Sequence, residues 1–551
     1  MQPNDKRYSY VKGTDEPPLL DMTIGEAFDD IARRYPDRTA LIVRDRGVRW
    51  TWAELKAKVD AVAAGLLERG LKPGDRVGMW APNCPEWTIT QFATAKAGLI
   101  LVSINPAYRA SELEYALNKV GCVALVTIPV FRGTDFLLML RVLGPERLPT
   151  LKHIFTTGSD RHEGTIPFGE LVSADTGILD GLEIRPDDAV NIQFTSGTTG
   201  APKGATLSHR NILNNGYFVG RCIRLSPEDK LCIPVPLYHC FGMVMSNLAC
   251  VTSGAAMVYP GKNFDPLAVL EAVEEERCTA LQGVPTMFIA ELNHPAFDRF
   301  DLSSLRTGIM AGANCPIAVM QAVMERMHMK DVTIAYGMTE TSPVSFQSEV
   351  DTPVEERVAT VGRIQPHLEV KIIDENGDIA PRGERGEICT RGYSVMLGYW
   401  DDPEKTAEAV DEDGWMHTGD LGEIDAGGYC RIVGRLKDMV IRGGENIYPR
   451  EIEEYLLTHP HVIEAQAFGI PDEQYGEELV VWVRLRDGAA VRPVDITDFC
   501  RGQIAHFKVP RIVRIVDEFP MTVTGKIRKI EMRAMMIAEM TAKAAGEARI
   551  Q

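Results

Sequence analysis

Short apolar runs that alternate with amphipathic helices are the feature that most restricts how this chain can fold. The runs Arg76 to Trp80, Ile100 to Ile104, Ala124 to Ile128 and Ala189 to Phe194 each have the length and composition of a buried strand. Strands that alternate with helices form largely parallel sheets with helices packed on their faces. The first part of the chain is therefore predicted to be a layered α/β structure.

Two helices near the amino terminus carry clear start signals. Thr23 and Thr51 are each followed three residues later by glutamate, the capping-box pattern, which predicts helices over Thr23 to Arg34 and Thr51 to Gly70. In the second of these, apolar residues recur at helical spacing: Trp52, Leu55, Val59, Val62, Leu66 and Leu67.

The pattern changes after about residue 350. Runs such as Glu369 to Asp374, Gly386 to Thr390 and Tyr429 to Val433 are short strands broken by glycine and acidic turns, which indicates a β-rich subdomain. Beyond Gly434 the α/β pattern returns, and we place a small C-terminal domain there. Its predicted elements are helices over Pro449 to Thr458 and Pro493 to Ile504, strands near Glu464 to Phe468 and Glu478 to Arg484, and a surface helix over Glu531 to Gln551.

Charge and cysteine content exclude some classes of protein. The formal net charge of −18 argues against a general nucleic-acid or anionic-membrane binder, because the summed field repels phosphate. The eleven cysteines form no CxxC pair, so reduced and mostly buried thiols are expected. We find neither a signal peptide nor an apolar run long enough to span a bilayer, and we expect a cytoplasmic enzyme without an integral membrane segment.

A glycine- and hydroxyl-rich string follows the strand predicted at Ala189 to Phe194. It reads Thr195-Ser196-Gly197-Thr198-Thr199-Gly200-Ala201-Pro202-Lys203-Gly204. Such a loop lets backbone and hydroxyl donors approach phosphate oxygens while Lys203 adds positive charge. It is not a Walker A loop, because Pro202 precedes the lysine and Gly204 follows it.

This string resembles the phosphate-binding signature of the adenylate-forming superfamily, which includes acyl-CoA synthetases, adenylation domains of peptide synthetases and firefly luciferase. Further motifs follow in the family's order across residues 25 to 530: Tyr336-Gly337-Met338-Thr339-Glu340-Thr341, Gly362-Arg363, Trp415-Met416-His417-Thr418-Gly419-Asp420, Gly434-Arg435-Leu436-Lys437-Asp438 and Thr522-Val523-Thr524-Gly525-Lys526. The resemblance implies an N-terminal domain over residues 1–436, with two α/β layered subdomains and a β-rich subdomain. It also implies a mobile α+β C-terminal domain over residues 437–551.

The reaction that the resemblance implies has two halves. A carboxylate attacks the α-phosphorus of MgATP to give acyl-AMP and pyrophosphate, and the thiol of CoA then displaces AMP. Because an anion approaches a polyanion in the first half, catalysis consists mainly of neutralising charge and holding the reacting oxygens in line. ATP and CoA are therefore expected as co-substrates, with Mg²⁺ as the cofactor.

The resemblance also implies how the ATP groups are bound. The triphosphate would be held by Thr195, Ser196, Gly197, Thr198, Thr199, Gly200 and Lys203. Tyr336 would flank adenine, beside Gly337 and Met338 of the same motif, Thr339 would contact the α-phosphate, and Glu340 would bind Mg²⁺ together with the Thr195 hydroxyl. Asp420 and Arg435 would bind the ribose, and Gly312 and Ala313 would stand at the end of an adenine-binding strand.

Three further assignments depend on the C-terminal domain. Lys526 would be the catalytic lysine that bridges the attacking carboxylate and the α-phosphate. Lys437 would be the hinge about which the domain rotates between the two half-reactions. Gly443, Gly444 and Glu445 would line the tunnel for the pantetheine arm of CoA, which favours CoA over a use that stops at the adenylate.

The acyl group is expected to bind near His239 and Gly312. Pocket walls are predicted from Phe241 to Asn247, Gly283 to Phe288 and Met310 to Gly312, which contain no lysine or arginine and favour an apolar tail. A medium- or long-chain fatty acid is the first prediction. An aryl-CoA or special short-acid ligase, and a freestanding adenylation module that loads a carrier protein, are the alternatives. The sequence leaves monomer and homodimer open.

Overall fold

The computed structural model describes residues 3–195, 202–313, 315–442, 445–472, 475–521 and 527–547, except for the side chains of 446 and 541–547. Within these residues the strands are β1 (Tyr10–Lys12), β2 (Thr39–Val43), β3 (Val48–Thr51), β4 (Arg76–Trp80), β5 (Ile100–Ser103), β6 (Cys122–Thr127), β7 (Val130–Phe131), β8 (Thr134–Asp135), β9 (His153–Thr156), β10 (Ile166–Pro167), β11 (Ala189–Thr195), β12 (Lys203–Ser208), β13 (Lys230–Cys232), β14 (Ala256–Tyr259), β15 (Ala280–Gly283), β16 (Thr307–Ala311), β17 (Asp331–Gly337), β18 (Val344–Gln347), β19 (Arg363–Ile364), β20 (Leu368–Ile373), β21 (Gly386–Gly392), β22 (Gly398–Tyr399), β23 (Met416–Ile424), β24 (Cys430–Arg435), β25 (Val440–Arg442), β26 (Glu445–Ile447), β27 (Val462–Asp472), β28 (Gly476–Leu485) and β29 (Ile512–Ile515).

The α-helices of the same residues are α1 (Ile24–Arg34), α2 (Trp52–Glu68), α3 (Pro85–Lys96), α4 (Ala110–Val120), α5 (Phe136–Arg147), α6 (His209–Cys222), α7 (Cys240–Gly242), α8 (Ala249–Ser253), α9 (Pro266–Glu276), α10 (Pro285–Leu292), α11 (Ile317–Arg326), α12 (Val354–Ala359), α13 (Pro403–Ala409), α14 (Pro449–Leu456), α15 (Pro493–Cys500) and α16 (Lys529–Glu547). A π-helical segment, Met243–Leu248, joins α7 to α8. None of the described helices is long and apolar enough to cross a bilayer.

Both predicted capping boxes are present. The Thr23 hydroxyl accepts from the Glu26 amide at 3.2 Å while the Glu26 carboxylate accepts from the Thr23 amide at 2.7 Å. Thr51 and Glu54 repeat the arrangement at the start of α2. These side chains satisfy amide groups that have no partner within the first helical turn, so the helices begin where the sequence predicts.

Two large α/β sheets and one antiparallel sheet form the body of the protein, as predicted. An eight-stranded sheet has the order β10-β9-β6-β4-β5-β11-β12-β22, and a nine-stranded sheet has the order β19-β18-β17-β16-β15-β13-β14-β2-β3. The β-rich part is a sheet of order β1-β20-β21-β23-β24. Within the nine-stranded sheet β13, β15, β16 and β17 are parallel, and β4, β5 and β11 are parallel within the eight-stranded sheet. The loops after these strands therefore emerge at one edge of each sheet.

The C-terminal part has its own sheet and core. Strands β25 to β28 pair antiparallel, β29 adds in parallel to β28, and apolar residues including Val440, Ile452, Val481 and Ile496 are buried beneath them. The predicted terminal helix is α16, and its Met532 and Met536 are buried against the same sheet, so one face is docked. Contact with the body includes the Arg385 guanidinium, which lies 5.2 Å from the Tyr448 ring centroid.

None of the eleven cysteines, all of which are described residues, forms a disulfide, and every one except the half-buried Cys222 is buried, as the prediction of reduced and mostly buried thiols requires.

Candidate active site

The segment Tyr336–Glu340 leaves the carboxyl end of β17 and places two polar side chains a few residues apart. A Cβ at Gly337 would lie 1.7 Å from the Pro343 carbonyl oxygen, so the close return of the chain excludes any side chain there. Thr339 and Glu340 follow in a single 3₁₀ turn closed by the Ser342 amide, which donates to the Thr339 carbonyl at 3.1 Å. The Tyr336 and Glu340 side chains are thereby held on a short, tightly turned segment.

Asp420 lies between a tyrosine and an arginine. The Tyr336 hydroxyl donates to Asp420 Oδ2 at 2.6 Å, and Arg435 Nε lies 3.0 Å from Asp420 Oδ1. Asp420 and Arg435 are cross-strand partners in β23 and β24. Burial and the facing carboxylate raise the pKa of Tyr336 well above its usual value, and Asp420 likewise raises the pKa of Arg435. Tyr336 therefore stays a neutral donor to Asp420. A carboxylate that accepts and a guanidinium that donates, side by side, suit the binding of vicinal hydroxyls.

A second polar group supports the turn that carries Asp420. Glu387 Oε1 accepts from the Gly419 amide at 3.0 Å, and its Oε2 lies 3.1 Å from His417 Nδ1. Cys389 Sγ lies 3.6 Å from the same nitrogen, and the three ligand-type atoms of Glu387, Cys389 and His417 lie within 4.8 Å of one another. The contact with Gly419 shows that this cluster fixes the backbone just before Asp420.

Glu340 is a buried carboxylate whose described partner is a tyrosine. It is 5% exposed, and the Tyr399 hydroxyl donates to its Oε1 at 2.8 Å. None of the ion pairs among the described residues includes Glu340. A buried carboxylate without a counterion is costly, so this position is suited to a bound cation.

Thr195 and Lys203 face each other at the base of the glycine-rich loop. They are paired residues at the end of β11 and the start of β12. Lys203 Nζ lies 4.6 Å from the centroid of the Tyr399 ring, which places this lysine beside the group that holds Glu340. The predicted phosphate ligands Ser196, Gly197, Thr198, Thr199 and Gly200 lie outside the described residues.

The predicted acyl and adenine residues also lie at the carboxyl edge of the nine-stranded sheet. His239 precedes α7, and its Nδ1 accepts from the Phe241 amide at 3.2 Å, so this nitrogen has a helix-capping role. Gly312 and Ala313 follow β16 and are exposed. Gly312 has φ +89°, and a Cβ there would lie 3.2 Å from Val284, so the turn after β16 favours glycine.

The C-terminal candidates are placed only in part. Lys437 lies exposed in the 3₁₀ segment Leu436–Asp438, directly before β25, and Glu445 begins β26 on the surface. Gly443, Gly444 and Lys526 lie outside the described residues. Their flanks are ordered by pairing: Arg442 pairs with Glu445, and Met521 pairs with Ile527.

A cavity of about 540 Å³ opens beside Tyr238, the neighbour of His239. Loops from both large sheets line it, because Asn83 and Asn105 follow β4 and β5 whereas Tyr238 and Val284 follow β13 and β15. Its wall combines apolar and aromatic side chains, including Phe131, Phe264 and Met287, with three cationic side chains, which are Arg109, Arg132 and Lys262.

This cavity differs from the pocket predicted from sequence. Of the three predicted wall segments, only Gly283 to Phe288 contributes to it. Phe241 to Asn247 lies instead in the helix that packs into the main core, where Asn247 donates to Gln91 at 2.9 Å. The three cations come from loops outside the predicted wall segments, so the expectation of a wall without lysine or arginine does not describe this cavity.

Sequence reasoning missed Tyr399 and these three cations. The dipeptide Gly398-Tyr399 forms the edge strand β22, and only its pairing with β12 brings the tyrosine to Glu340 and Lys203. The available signal was local: an aromatic residue four positions before Pro403, where α13 begins. Nothing in that signal indicates a contact with residues some 60 and 200 positions earlier in the chain.

Comparison with known proteins agrees with this geometry. Residues 28–400 match the model of the AMP-binding enzyme family, and residues 451–526 match the AMP-binding enzyme C-terminal domain. The Bacillus subtilis (strain 168) protein YngI is 47% identical over 538 residues, covering 94% of this chain and 98% of the relative. The human mitochondrial medium-chain acyl-CoA ligase ACSF2 is 44% identical over 552 residues, covering 96% and 90%.

Solved structures share the fold over nearly the full length. The anthranilate CoA ligase AuaEII in complex with anthranoyl-AMP superposes with a TM-score of 0.85 at 28% identity, covering 96% of this chain and 99% of that one. ATP-bound MatB from Rhodopseudomonas palustris gives a TM-score of 0.83 at 30% identity, covering 93% and 99%. The chain belongs to the AMP-binding enzyme family.

Proposed function

We propose that this protein is an acid–thiol ligase that converts a medium-chain fatty acid into its CoA thioester. The acid carboxylate attacks the α-phosphorus of ATP, the bond to pyrophosphate breaks, and acyl-AMP forms. The CoA thiol then attacks the acyl carbonyl carbon, its proton is lost, and AMP leaves. The overall reaction is that of an AMP-forming acyl-CoA synthetase, with ATP and CoA as co-substrates.

One observation carries the proposal: groups suited to a ribose and groups suited to a metal-bound triphosphate stand at the two ends of Tyr336–Glu340. Tyr336 contacts Asp420 at one end, and Glu340 contacts Tyr399 beside Lys203 at the other. A nucleotide that spans this segment would place its sugar at Asp420 and Arg435 and its phosphates at Glu340 and Lys203. Thr339, between the two ends, is then the residue nearest to the α-phosphate.

The Glu340 site fits Mg²⁺. The carboxylate is buried, has no cation partner in the part of the chain that the structure describes, and offers the oxygen ligand that Mg²⁺ prefers. Glu340, with the Thr195 hydroxyl, would hold the ion, which supplies charge neutralisation on the phosphate oxygens when bound. Lys203 adds a second positive charge from the opposite side of Tyr399.

The second half-reaction assigns roles to the C-terminal part. We place the domain border between residues 436 and 437, with Lys437 as the hinge, because the exposed 3₁₀ segment there connects two separately buried cores. Rotation at this point would withdraw Lys526 and bring Gly443, Gly444 and Glu445 to the path of the CoA thiol. His239 would shape the boundary between this path and the acyl group.

The cavity beside Tyr238 fits CoA. Its apolar wall suits a pantetheine arm, and Arg109, Arg132 and Lys262 provide positive charge for phosphate groups on a chain whose net charge is −18. The acyl chain would then lie on the other side of His239, toward Gly312.

Identity over nearly the full length supports a fatty acid over an aryl acid. The relative named as a medium-chain acyl-CoA ligase is 44% identical, whereas the solved anthranilate CoA ligase is 28% identical. No observation among the described residues favours a module that loads a carrier protein. The activity measurement described next distinguishes that alternative.

Activity across four acids tests the function. We expect pyrophosphate release and AMP formation with octanoate and CoA to exceed those with acetate, palmitate or benzoate, since a medium-chain acid fills an apolar pocket without overfilling it. Steady release should require CoA. Benzoate as the best substrate would establish the aryl ligase. Octanoate-dependent pyrophosphate exchange without thioester formation from CoA would establish the adenylation module, whose acyl acceptor is a carrier thiol.

A double substitution tests the assignment of the cavity. Replacing Arg132 and Lys262 by glutamine is expected to raise the KM for CoA about 100-fold, because each lost charged hydrogen bond weakens phosphate binding by roughly 1.5 kcal/mol, or about tenfold. The KM values for ATP and octanoate should stay unchanged in pyrophosphate exchange. The matched control replaces the exposed Arg299 and Lys330, which do not line the cavity, by glutamine and makes the same change in net charge. A rise in the KM for octanoate instead would make the cavity the acyl site.

A further inference from the structure

Tyr399 contacts both groups that the proposed function assigns to the metal-bound triphosphate. Its hydroxyl donates to Glu340 Oε1 at 2.8 Å, and its ring centroid lies 4.6 Å from Lys203 Nζ. We infer that Tyr399 is a positioning residue that holds Glu340 ready for the divalent cation and Lys203 ready for phosphate. The inference rests on the proposed function and adds a residue to its binding site.

The contact with Glu340 fixes one carboxylate oxygen and leaves the other for a ligand. Among described residues, the Glu340 side chain accepts its hydrogen bond on Oε1, and the Glu340 backbone carbonyl accepts from the Met396 amide at 2.9 Å. Both contacts come from the segment around β22, so the backbone and the side chain of Glu340 are held by one neighbour. Fixing Oε1 orients Oε2 in advance, which lowers the cost of ordering the carboxylate when a cation binds.

The contact with Lys203 uses the other part of the same side chain. A lysine ammonium over a tyrosine ring is stabilised by the ring's electron-rich face. This contact holds the Lys203 ammonium at the same tyrosine that contacts Glu340. The ion pairs of the described residues do not include Lys203, so its three N–H donors have no described carboxylate partner. The ammonium is thus positioned without being neutralised.

The backbone explains why Tyr399 can perform both tasks. Tyr399 pairs with Ala205 across β22 and β12, and the Trp400 and Leu397 amides donate to the carbonyls of Gly204 and Thr206 at 2.8 and 2.9 Å. The strand that begins at Lys203 is therefore tied directly to the strand that carries Tyr399. Any shift in this register would separate Lys203 from Glu340, so the edge strand β22 sets the spacing between the two charges.

Two substitutions separate the two contacts. Tyr399→Phe removes the hydroxyl and keeps the ring under Lys203, whereas Tyr399→Leu removes both. Tyr393→Phe is the matched control, because Tyr393 is also a tyrosine in the same segment, and its hydroxyl contacts Asn215 at 3.5 Å outside the proposed site. Thermal unfolding of each variant reports its folding, and the phenylalanine variant carries the test if the leucine variant does not fold.

The readout is ATP binding by calorimetry, measured once with Mn²⁺ and once with a chelator. In the unsubstituted protein the cation should strengthen ATP binding. The ratio of the ATP affinity with Mn²⁺ to that with the chelator, called the Mn²⁺ gain, measures how much the cation at Glu340 contributes. In Tyr399→Phe the factor by which Mn²⁺ strengthens ATP binding is expected to be about tenfold smaller, which is the effect of one charged hydrogen bond. The affinity for ATP with the chelator should stay unchanged. Tyr399→Leu should also weaken binding with the chelator, by about fivefold, because Lys203 loses its ring.

The outcomes separate the inference from the function. An unchanged or larger Mn²⁺ gain in Tyr399→Phe would overturn the positioning role, and so would an equal loss of the Mn²⁺ gain in Tyr393→Phe. In either case, ATP binding by the unsubstituted protein would still support the proposed function. An unsubstituted protein that binds ATP neither with Mn²⁺ nor with the chelator would overturn both.

Discussion

Replacing Glu340 by glutamine is expected to lower acyl-AMP formation by about 10²- to 10³-fold, the usual cost of losing one charge-stabilising group at a reacting phosphate or acyl centre. Glutamine keeps the size of the side chain and an oxygen that can accept from Tyr399. The substitution therefore removes the negative charge that would hold the divalent cation and little else. Octanoate-dependent exchange of pyrophosphate into ATP, followed at saturating MgATP, measures the loss.

The same variant should still make the thioester from supplied octanoyl-AMP and CoA, because that step involves no triphosphate. Its thermal unfolding midpoint should not fall, since Glu340 is buried without a counterion among the described residues and glutamine removes that cost. Glu291→Gln is the control: Glu291 is equally buried in a separate apolar cluster, and burial raises its pKa well above the usual value. Equal losses in both half-reactions for Glu340→Gln would show that the glutamate shapes the site in general.

Local signals in the sequence were sufficient for the elements that frame the site. Thr23 and Thr51 start helices because the capping box is completed within four residues. The strand predicted at Arg76 to Trp80 has these bounds in the structure, because a short, mostly apolar run is typical of a parallel strand that is covered on both faces. The edge where parallel strands end then follows from the order of the elements.

Contacts that depend on register between distant strands could not be predicted in this way. Tyr399 reaches Glu340 because β22 pairs with β12, and two residues of edge strand carry no periodicity that would reveal such pairing. The cavity cations Arg109, Arg132 and Lys262 lie on three separate loops, and their approach depends on how the two large sheets pack. Motif residues such as Asp420 and Arg435 were found because their strings are distinctive, whereas the residues that hold them in place were not.

The net charge of −18 does not describe the local charge where phosphates would bind. Lys203 stands beside Glu340 and Arg435 beside Asp420, and the cavity cations face a shared opening. Positive side chains therefore stand where phosphates would bind, on a chain whose net charge is negative. A field of this form disfavours long polyanions such as nucleic acids and still admits small ones.

Lys526→Ala is expected to have an effect on acyl-AMP formation as large as that of Glu340→Gln, about 10²- to 10³-fold, because each removes positive charge at the α-phosphate. The lysine substitution would remove it directly, and the glutamate substitution would remove it by weakening the hold on the divalent cation. Lys526 lies outside the described residues, but its surroundings are fixed. Met521 and Ile527 pair across the segment, and the Arg528 amide donates to the Pro520 carbonyl at 2.8 Å. The two described flanks of this stretch, at Met521 and Ile527, therefore lie side by side.

The two half-reactions distinguish a catalytic lysine from a structural one. Lys526→Ala should lose octanoate-dependent pyrophosphate exchange and largely keep thioester formation from supplied octanoyl-AMP, because the proposed domain rotation would withdraw Lys526 before CoA reacts. Lys529→Ala is the matched control, since Lys529 Nζ forms a 2.6 Å ion pair with Glu453 within the C-terminal core. Its loss should lower the unfolding midpoint and leave the ratio of the two half-reactions unchanged. If Lys526→Ala slowed both half-reactions equally, the lysine would instead stabilise the closed arrangement of the domains, and the positive charge at the α-phosphate would have to come from Lys203 and the divalent cation.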